Sequence, residues 1–441
     1  MNKVVVTDVF VVGFALFAMF FGAGNLIIPP YIGLQTGTGW FQALGGFGLS
    51  GIGLPLLGII ALAKNDGSLE KFAGKVNAKF SVVLGTLVIL CIGPLLAIPR
   101  TGATAYEVGI QPIFPGISPL FSSILYFSLT LFFSINKSKV IDSIGKILTP
   151  ILLLMLGIIF FKGIISPLGE IAITEIETPF TMSFFEGYQT MDALASIIFA
   201  GIIIENIKSR GYEEAKDHTR LTVISGIIAA IGLFLVYGGL MYLGATVSGN
   251  TSISIDRAEL LIKITSGLLG VWGKIPLGIA VSLACLTTSI GLTAATGNFF
   301  NYITKGKVSY KSVVIATTVI SVIISNFGVD NIMQFSAPIL VAIYPVVIVL
   351  ITMNLLGDFI RNNSVYASTV IGTLSISLFN GLEQAKINTG VIGEIIYRLP
   401  LGKVGLTWIL TAFAGFFVGM VFFNNKIMSK QERLEVSKKT S

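Results

Sequence analysis

The sequence predicts an all-α polytopic membrane protein of about 12 transmembrane helices, built on a five-plus-five inverted repeat with broken helices 1 and 6. Three observations carry this expectation. Of the 441 residues, 54% are hydrophobic and 12% charged, with a mean hydropathy of +0.87, whereas a soluble domain carries about 25% charge. About a dozen apolar runs follow one another, each of roughly 18 or more residues and so long enough to cross a bilayer. The first of them, residues 8–34, DVFVVGFALFAMFFGAGNLIIPPYIGL, is interrupted in its middle.

In chain order the spans are expected at roughly 8–35, 40–63, 79–109, 117–135, 143–163, 183–207, 219–245, 275–303, 311–327, 332–357, 364–382 and 404–424. They predict one transmembrane domain over 1–441, with core repeats at about 8–163 and 183–357, two extra helices at about 364–424 and a cytoplasmic tail at about 426–441. With the N-terminus inside, the inner segments hold about 21 of the 29 Lys and Arg, among them Lys64, Lys71, Lys75, Lys137, Lys139, Lys146, Lys208, Arg210 and Arg361; about seven fall outside and Arg100 lies within a span. A bias of about three to one in short loops places both termini in the cytoplasm, which an even number of spans satisfies. The net charge of +7 is then a topology signal and implies no nucleic acid. Asp8 breaks the first apolar run and no small-residue cleavage site follows, so the first span reads as retained, not as a signal peptide. Cys91 and Cys285 both lie in apolar runs and imply neither a disulfide framework nor a metal site.

The interruption in span 1 is Gly22-Ala23-Gly24-Asn25, followed by Pro29-Pro30. Each glycine costs a helix about 1 kcal/mol against alanine. The prolines remove the donors that would bond the carbonyls of Asn25 and Leu26. Two readings follow: a glycine-mediated helix contact with a proline kink, or a helix opened near 22–25. In hydrocarbon, open backbone survives only where it is buried in protein or lines a cavity. There, freed amides hold anions and freed carbonyls hold cations. If spans 1–5 and 6–10 are inverted copies, span 6 should be interrupted too. It carries Asp192 and Ser196 within apolar sequence, with Gly187 before them and Gly201 after.

Other polar residues in the spans carry paired readings. Arg100 is deep in span 3, between Pro94 and Pro99, and Glu107 follows two turns later, about 10 Å along the axis. The two line a pathway or gate, or are structural charges near the interface. Asp192, an intramembrane carboxylate, is a functional candidate by default; it would also serve as a helix cap. Thr287, Thr288 and Ser289 place adjacent hydroxyls in span 8. They bond their own helix carbonyls, or offer oxygens to a hard cation. No P-loop, H-E-x-x-H or G-x-S-x-G run is present, and the lone His218 falls in a loop, so nothing points to ATP drive or enzyme catalysis.

Five blocks resemble the branched-chain amino acid:cation symporter family of bacteria over essentially the whole chain. They are FGAGNLIIPP in span 1, GPLLAIPRTGATAYEVG in span 3, EGYQTMDALASIIFAGIIIENIKSRG in span 6, ACLTTSIGLT in span 8 and PILVAIYP at 338–345. That family belongs to the amino acid–polyamine–organocation grouping and is similar to the LeuT fold, in which discontinuous helices meet at the bilayer midplane. The resemblance implies a multi-pass protein of the bacterial inner membrane that imports leucine, isoleucine and valine with sodium, protons being the alternative, and with no ATPase subunit. It further implies that the backbone at Gly22, Ala23 and Gly24 holds the substrate carboxylate. Asn25 would complete one sodium site, and Thr288 and Ser289 a second, with carbonyls near Ala18 and Phe21. Asp192 stands where span 6 departs from those relatives and is placed in the substrate site.

Overall fold

The computed structural model describes residues 5–135, 149–212, 214–360 and 362–422. Lys3, Lys137, Lys139, Lys146, Arg361 and the expected tail at 426–441 lie outside them. The main helices are α1 (Val6–Phe20), α2 (Ala23–Thr36), α3 (Trp40–Gly48), α4 (Leu54–Ala63), α5 (Ala78–Leu90), α6 (Ala97–Thr104), α7 (Pro119–Ser134), α8 (Thr149–Ile165) and α9 (Pro179–Glu186). After them come α10 (Asp192–Ser209), α11 (Ala215–Ala245), α12 (Arg257–Leu269), α13 (Lys274–Ile303), α14 (Tyr310–Ser325), α15 (Val329–Leu355), α16 (Asn363–Gln384), α17 (Gly390–Arg398) and α18 (Trp408–Phe422). Among the described residues there is no strand.

Among the described residues six helical stretches are long and apolar enough to cross a membrane, and α9 with α10 forms a seventh, bent by 45°. Five shorter apolar helices, α1, α7, α14, α18 and most of α8, fall at the remaining expected spans. Several of them carry large apolar side chains outward. Phe132 on α7 and Phe161 on α8 are 69% and 70% exposed, a surface suited to lipid and not to water.

The chain divides into two compact units, Met1–Ile59 with Leu87–Ser336, and Ile60–Thr86 with Ala337–Ser441. In the first, α1 stops because Phe21 leaves helical geometry (ψ 85°) and Gly22 is extended (φ −111°, ψ −165°). The opening is therefore at Phe21 and Gly22, slightly earlier than the expected 22–25, and Ala23, Gly24 and Asn25 form the first turn of α2. Pro29 and Pro30 stay inside α2. Span 6 breaks at Met191, which takes the left-handed conformation (φ 62°) between a tight turn at Gly187–Thr190 and Asp192. Span 3 is kinked: Gly93 has non-helical torsions (φ −90°, ψ −123°), and α6 follows from Ala97. His218, expected in a loop, sits in the first turn of α11, where Nε2 bonds the Tyr212 carbonyl at 2.7 Å. Helices α12 and α17 lie outside every expected span.

In the second unit a knot of polar contacts ties the 60–86 segment to the end of α15. Asn354 Nδ2 donates to the Phe72 carbonyl at 3.1 Å, Lys75 Nζ to Asn354 Oδ1 at 2.8 Å and Lys64 Nζ to the Leu355 carbonyl at 3.3 Å.

Helices α2 and α11 pack backbone to backbone in the first unit. A Cβ on Gly33 would run into the Met241 carbonyl, and one on Gly244 into the Pro30 carbonyl. Small residues are what let helices approach this closely within a membrane. Gly33→Val and Gly244→Val are expected to destabilise by about 1–3 kcal/mol through overpacking. Gly157→Ala, where nothing lies within 4 Å of the added Cβ, should be neutral or slightly stabilising. Melting of the purified proteins in detergent, side by side, checks this.

Candidate functional site

Both principal breaks leave helix ends without their usual main-chain partners. The Gly22 N–H, which would have closed the turn on Ala18, goes instead to the Phe20 carbonyl (2.9 Å) and to Asn25 Oδ1 (3.2 Å). The amides of Ala23 and Gly24 open α2, and like all first-turn amides they have no partner within their helix. Asn25 then reaches across. Its Nδ2 donates to Asp192 Oδ2 at 2.6 Å and makes a short contact with the Tyr237 hydroxyl on α11. Asp192 is the first residue of α10, so this one carboxamide joins the starts of both second half-helices.

Arg100, on α6, approaches the same place. Its Nη1 donates to the Gln189 carbonyl, just before the span 6 break, at 2.6 Å. A Cβ on Gly24 would stand 2.9 Å from Nη2 and 3.3 Å from Cζ. Asn25, Arg100 and Asp192 are 1%, 2% and 4% exposed, so each needs protein or ligand partners in place of water. They line a narrow cavity of about 20 Å³, room for about one water molecule. Its polar side is the span 1 break, Thr101, Thr190 and Thr288; its apolar side is Met19, Phe20, Ile92, Ala97, Ala195, Phe199 and Leu292.

The proposed ion ligands separate. The Thr288 hydroxyl faces the break, 3.5 Å from the Phe21 carbonyl, and a Cβ on Gly22 would lie 3.0 Å from its Oγ1. Ser289 turns away: its hydroxyl is 3.2 Å from that of Thr130 on α7. Ala18 is buried against Ile290. Thr287 bonds its own helix at the Ala284 carbonyl. Asn25 spends its carboxamide on Gly22, Asp192 and Tyr237. Glu107 is not at the cavity: its carboxylate accepts the Val329 N–H at 3.0 Å, where a negative charge complements the start of α15.

Two charge clusters flank the site. At one end of span 1, Asp8 accepts from Arg210 Nη1 and from the Tyr212 hydroxyl, each at 2.9 Å. At the other, Arg257 pairs with Asp330 (3.1 Å) and Glu186 (3.6 Å) and lies over the Tyr31 ring, 4.5 Å from its centroid. Tyr237, Gln189, Arg257 and Met191 were not among the expected site residues. For the first two the only sequence signal is a polar side chain within an apolar span.

Residues 5–426 match the family described as branched-chain amino acid transport protein. The chain is 41% identical over 425 residues to the branched-chain amino acid permease BraB of Bacillus subtilis (strain 168), covering 94% of this chain and 95% of that protein. Among solved structures it is similar to MhsT in complex with L-phenylalanine (TM-score 0.58, 17% identity, 92% of this chain and 98% of that one). It is also similar to Mhp1, a nucleobase-cation-symport-1 family transporter in a closed conformation (TM-score 0.62, 12% identity, 93% and 91%). At these identities the structural likeness is one of fold, and it is the LeuT-like fold with broken helices 1 and 6. With its apolar helices the chain is an integral membrane protein, and by its sequence it belongs to the family of branched-chain amino acid transport proteins, which are transporters and not enzymes.

Proposed function

We propose that the protein imports leucine, isoleucine and valine across the bacterial cytoplasmic membrane by alternating access, with sodium as the coupling ion and both termini in the cytoplasm. The observation that carries this is the cavity itself, lined by the opening residues of α2, by Asp192 and by apolar side chains, with Asn25 joining the first two. An α-amino acid is a zwitterion with a side chain. Its carboxylate suits the amides of Ala23 and Gly24 at the positive end of α2, and its ammonium suits Asp192. Branched aliphatic side chains suit a wall of Phe20, Ile92, Phe199 and Leu292. The three substrates differ by about one methylene or its position, worth about 1–3 kcal/mol, so one pocket accepts all and ranks them weakly. Family membership supports the same substrates.

Sodium is supported by the Phe21 carbonyl and the Thr288 hydroxyl, 3.5 Å apart at the end of the first half-helix. A hard cation of calcium's size lies about 2.4 Å from its oxygens, which sets neighbouring ligands about 3.4 Å apart. Asp192 favours a second reading, coupling to protons, because a buried carboxylate in the cavity can carry one. Leucine uptake into proteoliposomes under an imposed sodium gradient tests the proposal. Uptake that persists with choline in place of sodium and follows an imposed pH gradient would select the proton reading.

Single residues divide the site into an ion part and a substrate part. Thr288→Ala is expected to raise the sodium concentration for half-maximal uptake about five- to tenfold, the loss of roughly 1–1.4 kcal/mol, while Ser289→Ala leaves it unchanged. Gly24→Ala, which crowds Arg100, should chiefly raise the leucine KM, and Gly22→Ala, which crowds Thr288, should chiefly shift the sodium dependence. Each carries a smaller echo in the other quantity, since linkage is reciprocal. Leucine and sodium titrations of uptake in vesicles, with variants beside the parent protein, check both pairs.

A further inference from the structure

We propose that Arg100 is a built-in cation of the substrate site: its guanidinium, with the first amides of α2, binds the carboxylate of the amino acid, and it stands where a second coupling ion would otherwise be needed. This rests on the transport reading above and assigns a ligand within it. The argument is one of charge. Among the described residues, Arg100 is the only basic side chain lining the cavity and Asp192 the only acidic one. The guanidinium packs against Gly24 in the first turn of α2, the positive end of that half-helix. Through Nη1 it is held to the Gln189 carbonyl, just before the start of α10. The guanidinium and the opening amides of α2 thus meet in a cavity whose one described carboxylate, Asp192, already accepts from Asn25. Such an arrangement is completed by an anion, and an α-carboxylate entering there meets both the guanidinium fork and the amides. The ammonium of the same molecule falls to Asp192. A metal cation beside that carboxylate would compete with the ammonium for it, and the Asn25 side chain that would have completed its shell is bonded to Gly22, Asp192 and Tyr237. One coupling ion per amino acid follows, placed at Phe21 and Thr288.

The test uses the purified full-length protein with two probes, L-leucine and 3-methylbutylamine, which is leucine without its carboxylate. The parent protein should bind leucine far more tightly than the amine. Arg100→Ala should weaken leucine about ten- to a hundredfold, the range for a charged hydrogen-bond partner, and leave the amine unchanged. Arg100→Lys, which keeps the charge and loses the fork, should fall between them; it is the variant to rely on if Arg100→Ala does not fold. Independently, in proteoliposomes containing the parent protein, one charge should move per leucine. An unchanged ratio of leucine to amine affinity in a folded Arg100 variant, or two charges per leucine, would overturn the assignment while leaving leucine transport standing. A parent protein that binds no leucine would overturn both this assignment and the transport reading.

Discussion

The carboxamide of Asn25 is the contact on which the rest of the first unit depends. A membrane helix can be opened only where something answers the exposed main-chain groups. Asn25 does so on two helices at once: its oxygen takes the Gly22 amide, and its nitrogen reaches the carboxylate that begins α10. Tyr237 on α11 joins the same group, so the long helix behind the site is fixed to it as well. Removing the carboxamide would leave a buried carboxylate and a buried amide without this partner, each a loss of about 1–3 kcal/mol. The cavity, the direction of the α2 amides and the approach of Arg100 all take their positions from this arrangement.

The first break was legible because its chemistry is local. Two glycines, an asparagine and two prolines alter backbone energetics wherever they stand, and they placed the opening within a residue or two. The second was legible only in outline. Asp192 marked the region, but the residue that turns the chain is Met191, a side chain with no preference for left-handed geometry, held there by its surroundings. The break at Gly93 went unread although Pro94 follows it, because a glycine and a proline together fit a mere kink equally well. Thr288 and Ser289 were expected as a pair; their hydroxyls have different partners here, the Phe21 carbonyl and Thr130, and Thr130 lies on a helix far off in the sequence. The partners of Arg100 could not be read at all: Gln189 lies 89 positions away, and only the fold brings them together.

The fold also explains why a guanidinium can be buried at the centre of a bilayer protein. An isolated charge there is expensive. Arg100 is held by a main-chain carbonyl freed at the span 6 break, on a helix whose own break at Gly93 lets α6 set off in a new direction. Three irregular stretches of backbone thus serve one another, each supplying polar groups that the others lack.

Arg257 has a different kind of consequence. A single guanidinium engages Tyr31 on α2, Glu186 on α9 and Asp330 on α15. Each contact is partly exposed and modest when taken alone. They share one side chain, however, and it cannot follow three helices in different directions. The contacts therefore work as a logical conjunction: movement of any one helix strains the other two, so the three leave together or not at all. One residue of α12 thus makes the positions of three other helices depend on one another.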